Sequence, residues 1–200
     1  MVSHRYLILL VGLFFFLLTG LSAQDYYYYN GNGKVYFREG DPQVARIGSS
    51  DISASDLDHL LQETGIVRPD SYTAMEGQVG QLKVRLYPPH TADELWRLLW
   101  YDERIDYVSG QFYQFGSDDP FYFTWEIVVR LKKKVSIERF RRLVSDYGLN
   151  VDWEDLHRLS QFILVATSPD IDIVTTANRL CETGLFEYCY PDILKQYHLY

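Results

Sequence analysis

The chain has 200 residues, of which 47% are hydrophobic, 23% charged and 16% aromatic, with a formal net charge of −8. That composition excludes a disordered, collagen-like or coiled-coil chain and leaves room for one large domain or two small ones. Seventeen tyrosines favour strands and buried or interfacial surface over a helical bundle. At the N-terminus one Arg in MVSHR precedes the apolar run YLILLVGLFFFLLTGL, and then come Ser22 and Ala23. A short apolar run ending at small residues, followed by polar Gln24 and Asp25, reads as a cleaved export signal over 1–23. The competing reading is a membrane anchor, since Tyr6 to Leu21 approaches spanning length.

Cleavage removes Arg5 and no acid. The full chain's 19 basic residues lose one against the same 27 acids, which leaves −9 and disfavours nucleic acid as a partner. The charge is uneven: residues 24–120 hold 8 basic and 16 acidic groups, whereas 121–200 hold 10 and 11. Arg130, Lys132, Lys133, Lys134, Arg139, Arg141 and Arg142 crowd together in the second half, where a solvated strand end and helix face is the preferred reading over an acidic partner surface.

After the leader, YYYYNGNGKVYF predicts a hairpin with strands Tyr26 to Tyr29 and Lys34 to Phe37 about a Gly-rich turn. The second half shows its pattern more plainly. Phe123 to Lys134 alternates and is rich in β-branched and aromatic residues, as a strand requires. Ser136 caps a helix carrying Ile137, Phe140, Val144 and Tyr147 at helical spacing, and Gly148 ends it. LNVDWEDL and FILVATS are strands, Asp170 or Asp172 opens a second helix that stops at Gly184, and Leu185 to Ile193 is the last strand. The order βαββαβ is that of a ferredoxin-like unit.

The first half repeats this order at an offset of 80 to 84 residues. VARI (44–47), SASDLDHLLQETG, QLKVRLYP, TADELWRLLW and DYVSGQF stand where their counterparts stand later, and Thr91 with Glu94 forms a capping box. The expected fold is therefore α+β: a hairpin and a first unit over 24–120, a joint at Ser117 to Pro120, and a second unit over 121–200. Helices cover one face of such a sheet and leave the other in need of a partner. Tyr107, Phe112, Tyr122, Trp125, Tyr188 and Tyr190 are candidates to line that face, or the two units cover each other; Trp96 and Trp100 are expected to pack.

Chemistry is sparse. The histidines are His4, His59, His90, His157 and His198, and none is spaced as a metal ligand pair. Asp118-Asp119 fits a turn and Asp170-x-Asp172 a helix cap, in preference to calcium ligation. No nucleophile-elbow or phosphate-loop spacing occurs, so no catalytic residue, cofactor or metal is nominated. Cys181 and Cys189 leave a disulfide open in an oxidising compartment, with two buried free thiols the preferred reading.

The leader, YYYYNGNGKVYF, EIVVRLKK and the closing ETGLFEYCYPDIL (Glu182 to Leu194) together resemble the N-terminal prodomain of secreted subtilisin-like serine peptidases, of the fervidolysin-like and Bacteroidetes kinds. The resemblance implies a non-catalytic, exported, periplasmic or extracellular protein that binds a subtilisin-like peptidase as chaperone and inhibitor, without stable membrane insertion after cleavage. It also implies that Tyr190, Pro191, Asp192, Ile193 and Leu194 begin the segment that lies in the peptidase cleft as an added strand, leading into residues 195–200. Cys189 and Tyr190 replace a small residue and an acid of the family pattern, and the chain carries none of the catalytic domain's Asp, His or Ser motifs. Here the peptidase would be bound in trans. The alternative expectation is an interaction module of the cell envelope or a truncated peptidase remnant.

Overall fold

The computed structural model describes residues 26–31, 33–49, 52–69, 71–74, 81–155 and 161–195. The expected export signal over 1–23 lies outside the described residues, as do His157 and His198. The fold is mixed α/β, with four helices and two sheets among the described residues, whose strand pairs are all antiparallel.

The first half runs β1 (Tyr26–Asn30), β2 (Gly33–Glu39), β3 (Val44–Gly48), α1 (Ala54–Glu63), β4 (Thr73–Ala74), β5 (Gln81–Arg85), α2 (Ala92–Leu99), β6 (Tyr107–Gly110) and β7 (Phe112–Gln114). The second runs β8 (Pro120–Leu131), α3 (Ile137–Asp146), β9 (Leu149–Asp155), β10 (Gln161–Ala166), α4 (Ile173–Glu182) and β11 (Phe186–Lys195). Each helix starts on a side chain that accepts a backbone N–H left over from its first turn: Ser53 from Asp56, Thr91 from Glu94, Ser136 from Arg139 and Asp172 from Thr175. Of the two aspartates offered as the last cap, Asp172 is the one used. Gly148 follows α3 at φ 69°, where a Cβ would in addition meet Ile171 Cδ1 at 2.9 Å.

In the four-stranded sheet the order is β4-β5-β3-β6, and in the second half it is β9-β10-β8-β11. Both halves therefore place their first strand between their third and fourth, with the second strand outermost. Ala45, Ile47, Leu82, Val84 and Val108 turn toward α1 and α2 and share a core with Leu57, Leu61 and Leu95. Ile127, Val129, Leu131, Phe162 and Leu164 do the same with Phe140, Val144, Ala177 and Leu180.

In sequence the hairpin stands in front of the first unit, but in space it belongs to the second sheet. β2 pairs with β7, and β7 pairs with the start of β8. Tyr28 and Phe37 consequently bury against Phe121 and Phe123, at ring-centroid distances of 5.2 to 6.3 Å. The hydroxyls of Tyr27 and Tyr29 donate to Glu182, and Asn178 Nδ2 donates to the Tyr27 carbonyl at 2.7 Å, which fastens β1 along α4. The expected single strand DYVSGQF is two strands in two sheets. The chain changes sheets at Gln111, whose carbonyl accepts from Gly40 N at 2.7 Å, and the expected joint at Ser117 to Pro120 is the turn between β7 and β8.

Candidate functional site

Helices cover one face of each sheet, so the question is what covers the other. On β3 the residues facing away from the helices are Val44, Arg46 and Gly48. Gly48 sits opposite both Gln81 and Tyr107, and its missing side chain lets the Tyr107 ring lie across the strand: a Cβ there would be 2.0 Å from that ring. Arg46 is fully buried beside it. Its Nε donates to Gln81 Oε1 at 3.1 Å, its Nη2 donates to the same oxygen, and its guanidinium stacks 5.0 Å from the centre of the Tyr122 ring on β8. Burial pushes the Tyr107 and Tyr122 hydroxyls above the ordinary phenol range, an effect the neighbouring Arg46 charge partly offsets.

Trp125 completes the junction. Its ring stacks on Trp96 of α2 at 4.5 Å with the planes 9° apart, and its Nε1 donates to the Val108 carbonyl at 3.0 Å. The helix-free face of the first sheet is thus spent on the first half of β8. Tyr107 and Tyr122 are buried, half-buried Trp125 packs against the first core, and Phe112 packs on the second core with Phe37. The two units do cover each other at these positions.

Among the described residues, burial on this side becomes partial after Thr124. Farther along, the helix-free face of the second sheet presents Glu126, Val128 and Arg130 on β8, Gln161, Ile163 and Val165 on β10, and Tyr188 and Tyr190 on β11, all half-buried. Cross-strand register brings them together, with Val128 opposite both Ile163 and Tyr190, and Arg130 opposite both Gln161 and Tyr188. Tyr188 donates across the sheet to Gln161 Oε1 at 3.0 Å, and its ring lies 5.6 Å from that of Tyr190. Arg130 Nε pairs with Glu187 at 3.0 Å. The result is a tyrosine and aliphatic patch with a polar rim. Glu126 at its edge has its carboxyl pushed above the usual carboxylate range, first by burial and then by Asp192, Asp152 and Asp106.

Tyr190 to Leu194 are all within β11, hydrogen-bonded to β8, and do not form a separate tail. Tyr190 faces the open patch. Pro191 and Ile193 stand opposite Ile127 and Phe123, whose side chains belong to the core, and Leu194 stands opposite Tyr122. Asp192 accepts from the Thr124 hydroxyl at 3.2 Å at the place where the register shifts. β8 is the only ladder partner of β11 among the described strands. Of the expected cleft-entering continuation, residues 196–200 lie outside the described residues.

Other polar side chains form ion pairs. His59 and His90 lie 3.5 and 2.9 Å from Glu63 and Glu94 one helical turn on, and Asp170 pairs with Arg97 at 3.2 Å. Among the described residues no group of three or more His, Cys, Asp and Glu is placed to hold a metal ion. An open cleft of about 620 Å³ separates α2 and β6 from the hairpin and α4, with Asp93, Arg97, Asp172 and Arg179 along it. Lys133, Lys134, Arg139, Arg141 and Arg142 are exposed on the strand end and helix, and Lys132 donates to the Gly184 carbonyl at 2.7 Å. Sequence reasoning missed Arg46, although one signal was present: an arginine in the middle of the apolar strand VARIG.

No described helix is long and apolar enough to cross a membrane. Compared with known proteins, the chain matches no family model, no curated protein and no solved structure.

Proposed function

We propose that this chain is an exported, non-catalytic protein of two ferredoxin-like units, and that it binds a subtilisin-like serine peptidase in trans as a prodomain-like inhibitor. One observation carries the reading: among the described residues, the helix-free face of the second sheet is only half-buried beyond Thr124, with Tyr188, Tyr190, Val128 and Ile163 at its centre. Tyrosine suits such a contact, since its ring contributes apolar area while its hydroxyl stays hydrogen-bonded. β11 forms one border of that face, so a peptidase seated on it meets the same strand that carries Tyr190 to Leu194. Docking by this face needs no catalytic group from the chain, and the resemblance of Glu182 to Leu194 to prodomain ends supplies the partner class.

The test is residual activity of a panel of subtilisin-like peptidases mixed with the purified mature chain. Inhibition by the native chain is expected to weaken at least about tenfold in Tyr188→Ala/Tyr190→Ala, the loss that accompanies truncation of a central aromatic contact. Removing residues 195–200 is expected to weaken inhibition while the complex still forms. Absence of both inhibition and complex across the panel overturns the reading and leaves an envelope interaction module as its replacement.

A further inference from the structure

α4 and β11 each carry one cysteine, and the fold stacks the two elements. Cys189 alternates with Tyr188 and Tyr190, so its side chain points away from the open patch and into the core, where it is 2% exposed. Its thiol donates to the Ala177 carbonyl at 3.3 Å. Ala177 and Cys181 are one helical turn apart, and a helical side chain leans toward the N-terminus of its helix, so the Cys181 thiol leans over the turn that Cys189 touches. Cys181 packs on the same core but is only half-buried. Both thiols are free in the structure.

We propose that Cys181 and Cys189 form a dithiol that closes to an internal disulfide when the chain meets a small disulfide oxidant, fastening α4 to β11. The half-exposed Cys181 attacks first, as thiolate, on one sulfur of the oxidant; a mixed disulfide forms and one oxidant thiol leaves. Cys189 then loses its proton to solvent and attacks the Cys181 sulfur, expelling the second oxidant thiol. Two cysteine sulfurs are oxidised and one oxidant disulfide is reduced to two thiols. Burial raises the thiols of both cysteines above the ordinary range, so thiolate formation, and with it closure of the bridge, accelerates as pH rises. The bridge spans α4 and the strand bordering the open patch, so it would hold Tyr188 and Tyr190 in register whatever partner docks there.

The reduced mature chain is incubated with oxidised glutathione near neutral and at mildly alkaline pH, then unfolded, alkylated and weighed intact. The expected product carries no alkyl group, weighs two hydrogens less than the reduced chain, yields a linked peptide holding both cysteines, and forms faster at the higher pH. In Cys181→Ser, a change at the half-exposed position, the product is absent and Cys189 is alkylated after unfolding. Two alkyl groups on the treated native chain, or a glutathione adduct at Cys181 that never resolves, overturns the proposal.

Discussion

The two halves share one strand order and spend their helix-free faces differently. In the first, the face is closed: Gly48 makes room for Tyr107, and Arg46 reaches across to the Tyr122 ring. In the second, β8 is long enough to serve two neighbours. Its first residues receive β7 and the first unit, while Glu126 to Arg130 pair with β10 and keep one side open. The second sheet also gains the hairpin, so its core extends into a cluster of phenylalanines and Tyr28, where the first packs tryptophans. A shared strand order therefore does not produce shared surfaces. Which face is covered is set by where the two halves touch.

The largest expected effect tests whether the halves stand or fall together. Phe162 is fully buried against Phe140 at 4.3 Å, and Phe162→Ala should cost about 3–5 kcal/mol. In urea, tryptophan fluorescence, to which all four tryptophans contribute, and far-ultraviolet circular dichroism should show one coincident transition. Two separated transitions would mean that the junction does not couple the units.

Next in size is Gly48→Ala. Its Cβ would meet the Tyr107 ring at 2.0 Å, and displacing that ring from the junction should cost about 2 kcal/mol. A red shift in tryptophan emission should accompany the loss if the whole junction loosens. An unchanged midpoint would show that Tyr107 swings aside freely.

Asp172→Ala removes the cap of α4, the helix that holds the hairpin, and should cost about 1 kcal/mol. Ser53→Ala at α1 should cost a similar amount, so unequal losses would locate the weaker half.

Smallest is Glu126→Gln, at under about 1 kcal/mol, because the group is only half-buried. The sign is favourable at neutral pH. The folded carboxyl titrates above its unfolded value, so the folded state binds the proton more tightly and stability falls as pH rises through that window. The variant should therefore be the more stable at neutral pH, and the difference should vanish below the unfolded carboxylate range. Melting curves at the two pH values measure it, and a destabilised variant would place Glu126 in a favourable contact.

Local order was readable in the residues. The caps at Thr91 and Ser136, the stops at Gly148 and Gly184 and the alternation along β8 to β11 stand where the pattern put them, within a few residues at element ends. β8 begins three residues before the expected Phe123, because β7 recruits Pro120 and Phe121 into the ladder. The candidate surface was legible only by alternation. Six aromatics were proposed for an open face, of which Tyr188 and Tyr190 lie on one and the other four are buried or packed within the molecule. Alternation tells which residues share a face but carries no information about what lies over it.

The sequence by itself determined the helices, most strands and their caps, since each follows from propensity and spacing within a few residues. Only the tertiary structure decided that the hairpin joins the far sheet, that DYVSGQF divides between two sheets, and that Arg46 is interior. Those outcomes depend on contacts between residues tens of positions apart, where a missing side chain at Gly48 or a ring at Tyr122 matters only once the other strand has arrived.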